Sequence, residues 1–198
     1  MDFSTIKLVP EFDTLSFPGA EKYHRPEDDG AAMTVEEALF LSGLLIVRKP
    51  NVALELGCST GFSTAFLADA ASRSNSQFIA VDVDPTAIVK AKQRTSFMGV
   101  SAEFVLSDAT EYLNRSSLTF DFVLIDTDLK TRQQELWALW PKLSTDGVVA
   151  IHDASPLHPL RGDTTLMKDL YELRGRDHEY DLLYVPSPRG IAVIRKVK

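Results

Sequence analysis

The sequence predicts an α/β fold: a seven-stranded, mostly parallel, doubly wound sheet with an antiparallel C-terminal hairpin. Three observations carry this. From residue 34 onward, short apolar runs alternate with segments of helical periodicity, as in strand–helix–strand units around a parallel sheet. The first run, Val52-Ala-Leu-Glu-Leu56, leads into Gly57-Cys-Ser-Thr-Gly61 and a helix-like stretch from Thr64 to Ala71. That is strand, glycine turn and helix start, with Gly57 turning the backbone and Gly61 allowing a ligand or the next helix to come close. The last two apolar runs flank Pro186-Ser-Pro-Arg-Gly190, which reads as a hairpin turn.

Residues 1–33 are poorly periodic, with Phe3, Phe12, Phe17 and the acidic run Glu27-Asp-Asp29. They are expected to form an N-terminal arm or lid, or a homodimer contact, ahead of one domain spanning 34–198. Thr34-Val-Glu-Glu37 is a capping box. Val35, Ala38, Leu39, Leu45 and Ile46 continue it as a helical stripe that Lys49-Pro50 ends. Gln77–Asp82 reads as the second strand. Asp84 and Pro85 then open a helix that Gly99 stops. Ala102–Ser107 is a third strand, and Asp108–Glu111 opens a short helix. Phe120–Asp126 is a fourth strand, and a helix bearing Trp137 and Trp140 ends at Pro141. Asp146-Gly147 turns into a fifth strand, Val148–Asp153. A loop at 155–163 and a helical stripe of Leu166, Leu170 and Leu173 lead to the final strands, 180–185 and 191–196.

The chain has 198 residues, 44% apolar and 25% charged, which suits one globular domain. No apolar run approaches the roughly 20 residues needed to span a bilayer, and the N-terminus lacks a signal-peptide pattern. The single cysteine, Cys58, excludes an intrachain disulfide and fits a reducing cytoplasm. A net charge of −7 argues against a nucleic-acid partner and for a small-molecule substrate.

Open α/β sheets bind ligands outside the carboxyl ends of their strands. Asp82, Asp108, Asp126 and Asp153 fall there. Asp82 lies 25 positions after Gly57, near the spacing at which a carboxylate meets ribose hydroxyls. A dinucleotide turn needs G-x-G-x-x-G, whereas this turn is Gly57-x-x-x-Gly61 with Ser59 in its middle. Glu55 beside it would repel a pyrophosphate and suit an ammonium group. Both features favour S-adenosylmethionine over NAD.

Glu55-Leu-Gly57-x-x-x-Gly61-Phe-Ser63 resembles motif I of class I S-adenosylmethionine-dependent methyltransferases, in the small-molecule O-methyltransferase branch typified by catechol and caffeoyl-CoA O-methyltransferases. Met33–Ala38, Ala80–Pro85, Phe120–Asp128 and Gly147–Asp153 resemble further motifs of that branch, in order. The resemblance implies a Rossmann-like methyltransferase fold and a small-molecule acceptor. It implies that Gly57, Ser59, Gly61 and Ser63 line the methionine part of S-adenosylmethionine, with Glu55 near its amino group. Asp82 would hold the ribose, with Val83, Asp108 and Ala109 around the adenine. Asp126 and Asp153 would hold Mg²⁺ or a similar divalent cation. Where the branch has Asp-Asn at the fifth strand, this chain has Ala154 after Asp153, so Asp128 or water would complete such a site.

The candidate catalytic residues are Asp126, His152, Lys130 and His158, with Lys130 the nearby fixed cation. Successive strand residues face opposite ways, so His152 and Asp153 share a pocket only if the strand ends between them. Trp137 and Trp140 are expected to be buried in the core or an interface. The rivals to O-methyl transfer are a nicotinamide-dependent oxidoreductase and a non-catalytic S-adenosylmethionine-binding protein. A missing third glycine and the absence of a Tyr-x-x-x-Lys pair weigh against the first.

Overall fold

The computed structural model describes residues 33–154, 180–187 and 189–198. Of the arm at 1–33 only Met33 is described, and it is buried in the core; residues 1–32, the loop carrying His158 and the stripe of Leu166, Leu170 and Leu173 lie outside the described residues.

Seven strands form one sheet in the order β3-β2-β1-β4-β5-β7-β6. They are β1 (Val52–Leu56), β2 (Gln77–Asp82), β3 (Glu103–Leu106), β4 (Phe120–Ile125), β5 (Leu143–His152), β6 (Tyr180–Val185) and β7 (Ile191–Lys196). β1 to β5 run parallel, while β7 lies antiparallel between β5 and β6. This is the expected seven-stranded sheet with its antiparallel hairpin.

Helices α1 (Val35–Arg48), α2 (Phe62–Ser74) and α3 (Pro85–Met98) cover one face. Helices α4 (Ala109–Arg115) and α5 (Arg132–Leu139) cover the other. Alternation along each strand divides the side chains between the two cores. In β1, Ala53 packs with α1 and α2, whereas Leu54 and Leu56 pack with α4 and α5. None of the described helices is long and apolar enough to cross a membrane.

The helix ends follow local chemistry. Thr34 caps α1 in a full capping box with Glu37, and the chain leaves through left-handed Lys49 before Pro50. Asp84 caps α3 with Pro85 at its first position, and left-handed Gly99 ends it. Asp108 Oδ1 accepts the Glu111 N–H, 2.9 Å, at the start of α4.

Two local readings need correction. β5 begins at Leu143, earlier than the expected Val148, because the Asp146-Gly147 turn is a bulge inside a longer strand. Phe120 pairs with Leu143 but Phe122 pairs with Val148, so residues 144–147 loop out opposite Asp121. Asp121 fastens that bulge, accepting Ser144 Oγ at 2.8 Å and the N–H groups of Asn51 and Val52 at 2.9 and 3.1 Å. The second concerns the tryptophans. Trp140 packs edge-on against Tyr180, but Trp137 is exposed on α5, so it lies outside the core.

Candidate active site

The carboxyl ends of β1, β2, β4 and β5 converge on the glycine turn. Gly57 N–H bonds the Val81 carbonyl at 2.9 Å and Asp126 N–H bonds the Leu56 carbonyl at 2.9 Å, so the turn is stitched to both neighbouring strands. Gly57 and Gly61 have φ of 88° and 84°. A Cβ on Gly57 would lie 2.4 Å from the Asp126 carbonyl oxygen, and one on Gly61 would lie 2.6 Å from Ala91 Cα of α3. Of the two reasons for Gly61, the approach of the next helix is the one the packing displays.

Glu55 is fully buried beneath this turn. Its carboxylate accepts the Ser63 hydroxyl and, at 2.6 Å, the Thr64 hydroxyl, both from the first turn of α2. An anion suits a helix N-terminus. Burial nevertheless pushes its pKa up to about 7, against the lowering effect of the two hydroxyls, with Asp126 and Asp82 adding repulsion. Glu55 and Ser63, both assigned to the methionine end of the nucleotide, are thus bonded to each other. Cys58 is buried beside them, and burial pushes its thiol pKa up.

Asp82 ends β2 partly exposed. Its Oδ2 accepts Ser59 N–H at 2.8 Å and its Oδ1 accepts Asp84 N–H at 2.9 Å, so one carboxylate shapes both the glycine turn and the start of α3. Val83 and Leu106, at the ends of β2 and β3, form an exposed apolar lip beside it. Asp108 lies just beyond β3 as the α4 cap, and Ala109 is buried in the core beneath.

At the other end of the crevice, residues from five elements form one ionic network. His152 closes β5 and Asp153 follows with φ 57°, so the strand has ended and both side chains turn to the same place. His152 Nδ1 lies 3.0 Å from Asp126 Oδ1 and 3.6 Å from Asp153 Oδ1. Its Nε2 lies 3.2 Å from Glu37 Oε2, reaching across to α1. With carboxylate oxygens at both nitrogens, only the imidazolium can donate to both. Burial alone would lower its pKa, but the charge and hydrogen bond of Asp126, then those of Glu37, raise it to about 9. The Glu37 carboxyl is held below its usual value, since the His152 bond and charge and the Ser187 hydroxyl outweigh burial.

Two guanidinium groups complete the network. Arg132, buried at the start of α5, places Nη2 3.1 Å from Asp153 Oδ2 and 3.3 Å from Asp126 Oδ1. It also donates to the Thr127 and His152 carbonyls, clasping the ends of β4 and β5. Arg189, from the β6–β7 turn, grips both oxygens of Asp153, through Nε and, at 3.0 Å, through Nη2. Burial would raise the Asp153 pKa, yet the Arg189 bond and the charges of His152, Arg132 and Arg189 hold it below the ordinary carboxylate value. Nearby, Thr127 Oγ1 donates to buried Glu135 of α5.

Asp126, His152 and Asp153 bring ligand-type atoms within 4.8 Å of one another, which adds His152 to the Asp126 and Asp153 pair expected to hold a divalent cation. From the sequence, Lys130 is the fixed cation beside this pair. In the structure Lys130 is exposed, its backbone N–H donating to Asp128 Oδ1 at 2.9 Å, and the groups touching the carboxylates are the His152 imidazolium and the Arg132 and Arg189 guanidiniums. Neither arginine, nor the use of Glu37 beyond its cap, was legible in the motifs. One signal existed for Arg132: a cation at the first position of a helix opposes the helix dipole, which suggests it is used elsewhere.

No curated protein matches the chain by sequence. Solved structures do match it in fold. A Podospora anserina methyltransferase bound to S-adenosylhomocysteine superposes with a TM-score of 0.74 at 18% identity, covering 91% of this chain and 89% of its own. The Streptomyces achromogenes O-methyltransferase involved in tomaymycin synthesis, in complex with S-adenosylmethionine, gives 0.73 at 18% identity, covering 90% and 88%. An O-methyltransferase from Bacillus cereus with S-adenosylhomocysteine gives 0.68 at 16% identity, covering 84% and 83%. A family model described as a methyltransferase domain matches residues 54–154, just over half of the chain, from the middle of β1 to the residue after Asp153. The chain belongs to that methyltransferase-domain family.

Proposed function

We propose that this methyltransferase transfers a methyl group from S-adenosylmethionine to a hydroxyl of a small molecule. The observation that carries the reading is that the family match, residues 54–154, contains the carboxyl-edge site from Glu55 to Asp153. Two of the similar structures are named O-methyltransferases, which supports oxygen as the acceptor atom. A nicotinamide reading has no comparable support.

S-adenosylmethionine supplies a methyl on a cationic sulfur, which an acceptor oxygen takes in line while the sulfur keeps the electron pair of the broken bond. The chain's part is mainly alignment. In this reading Asp82 holds the ribose, Val83 and Leu106 lie against the adenine with Asp108 and Ala109 beside it, and the Gly57–Ser63 segment encloses the methionine end. Asp126 is the group an acceptor hydroxyl reaches. Its side chain is 19% exposed, against 6% for Asp153 and 1% for His152. His152 and Arg132 fix Asp126 Oδ1 and so orient the carboxylate that receives the hydroxyl proton. Lys130, exposed on the loop after β4, and His158 are further candidates to meet the acceptor. A divalent cation would draw on Asp126, His152 and Asp153, but guanidinium nitrogens already hold the oxygens it would need, so activation falls to these protein groups. We place the enzyme in the cytoplasm, acting without a nucleic-acid partner, with residues 1–33 as an arm, a lid or a dimer contact.

Thermal melts test the reading. S-adenosylhomocysteine at about 100 times its dissociation constant should stabilise the fold by about 2.7 kcal/mol, a shift of roughly 5–10 °C for a chain of this size. NAD should give none, and the reverse result would falsify the assignment. Affinity without transfer across a broad hydroxyl panel would favour a binding protein instead.

A further inference from the structure

We infer that the Asp126–Asp153 pair is closed by two guanidinium groups in place of a divalent cation, and that Arg189, reaching in from the β6–β7 turn, keeps the cation out. Adjacent carboxylates need positive charge between them. Here Arg132 spans the pair from the α5 side, 3.3 Å from Asp126 Oδ1 and 3.1 Å from Asp153 Oδ2. Arg189 takes both oxygens of Asp153 from the opposite strand pair. His152 Nδ1 shares Asp126 Oδ1 at 3.0 Å. Guanidinium stays charged at every working pH, and its planar fork matches a carboxylate as no hydrated ammonium does.

A hard divalent cation wants about six or more oxygen ligands and draws its affinity from uncompensated carboxylates. Asp153 offers neither oxygen uncontested. The two arginines differ in how readily they could yield. The Arg132 side chain is 4% exposed and is also held by the Thr127 and His152 carbonyls, so it is part of the scaffold. The Arg189 side chain is 24% exposed and sits in a turn. Removing Arg189 should therefore uncover a latent cation site without dismantling the strand ends. The consequence for chemistry is that the His152 imidazolium and the Arg132 guanidinium, not a Lewis acid, supply the positive charge beside Asp126.

The full chain, freed of metal by EDTA, would be titrated with Mg²⁺, Mn²⁺ and Ca²⁺ up to about 10 mM by calorimetry and thermal melts, with and without S-adenosylhomocysteine. The wild type should show no saturable binding and no melting shift, and EDTA should change methyl transfer by less than about twofold. Arg189→Ala should acquire saturable binding of at least one of these ions, lost again in Arg189→Ala/Asp153→Asn. Should Arg189→Ala fail to fold, Arg189→Gln, whose shorter, uncharged side chain ends where the Arg189 Nε stood, serves in its place. Saturable wild-type binding that Asp153→Asn abolishes would overturn the inference, and a folded Arg189 variant that gains no ion affinity would overturn the role given to Arg189. S-adenosylhomocysteine affinity, read in the same titrations, reports separately on the proposed function.

Discussion

His152 and Glu37 stand 115 residues apart in the chain, yet Nε2 of one lies 3.2 Å from Oε2 of the other. The contact ties the first turn of α1 to the end of β5. Glu37 serves two structures at once: its Oε2 also accepts the Thr34 N–H at 2.9 Å, completing the capping box.

That contact predicts a pH dependence. The groups facing His152 are Glu37, Asp126 and Asp153, with Arg132 and Arg189 behind them. The folded-state pKa of His152 is raised from 6.5 to about 9. A raised pKa means the folded state holds the proton more tightly. The stabilisation is therefore complete below the unfolded value near 6.5 and disappears as pH rises through about 9. Its size is on the order of 3 kcal/mol. Denaturant melts of the wild type should lose stability across that window, while His152→Gln should start lower and change less. Parallel curves for the two proteins would refute the imidazolium.

Arg132 should be a stability residue. Arg132→Ala leaves the buried Asp153 carboxylate short of a partner and frees the Thr127 and His152 carbonyls. Breaking a buried pair on one side costs about 3–5 kcal/mol. Arg132→Lys should recover only part, because one ammonium cannot reach all these acceptors. A Tm within about 2 °C of wild type for Arg132→Ala would show the clasp to be dispensable.

Gly57→Ala should destabilise the protein whether or not nucleotide is present. The new Cβ would meet the Asp126 carbonyl at 2.4 Å, at a φ of 88° that side chains disfavour. Overpacking and left-handed strain together cost roughly 2–5 kcal/mol. A variant of normal stability that no longer binds S-adenosylhomocysteine would assign the glycine to the ligand instead.

What could be read from the sequence was what neighbouring residues decide. The seven strands show as apolar runs, several ending in acid. Thr34, Asp84-Pro85 and Gly99 mark helix ends by the hydrogen bonds and φ values they supply. The bulge in β5 was hidden because it depends on Asp121, a residue of the neighbouring strand. The ionic network was hidden for the same reason at longer range. Arg132 and Arg189 meet Asp153 from 21 and 36 positions away, on opposite sides of it in the chain. A charged residue at a helix start or in a hairpin turn ordinarily faces solvent, and only the assembled sheet turns these two inward.

Asp82 separates scaffold from ligand contact. If it only projected into the pocket, its removal would spare the fold. Both its oxygens, however, hold loop N–H groups, Ser59 at 2.8 Å and Asp84 at 2.9 Å. Asp82→Ala should therefore lose about 1–3 kcal/mol of stability even without nucleotide, since two intramolecular hydrogen bonds at about 0.5–1.5 kcal/mol each are exchanged for water. It should also weaken S-adenosylhomocysteine at least about tenfold if the carboxylate meets the ribose hydroxyls, since hydrogen bonds to a charged group contribute roughly 1.5–3 kcal/mol. Asp82→Asn divides the two effects. Its amide oxygen can still accept one of the loop N–H groups, so the stability loss should shrink, whereas the charge is gone and the affinity loss should persist. Calorimetric titration of both variants, alongside denaturant melts, reads each quantity on its own. Wild-type affinity in Asp82→Asn would mean that the carboxylate builds the glycine turn and that the ribose is held elsewhere.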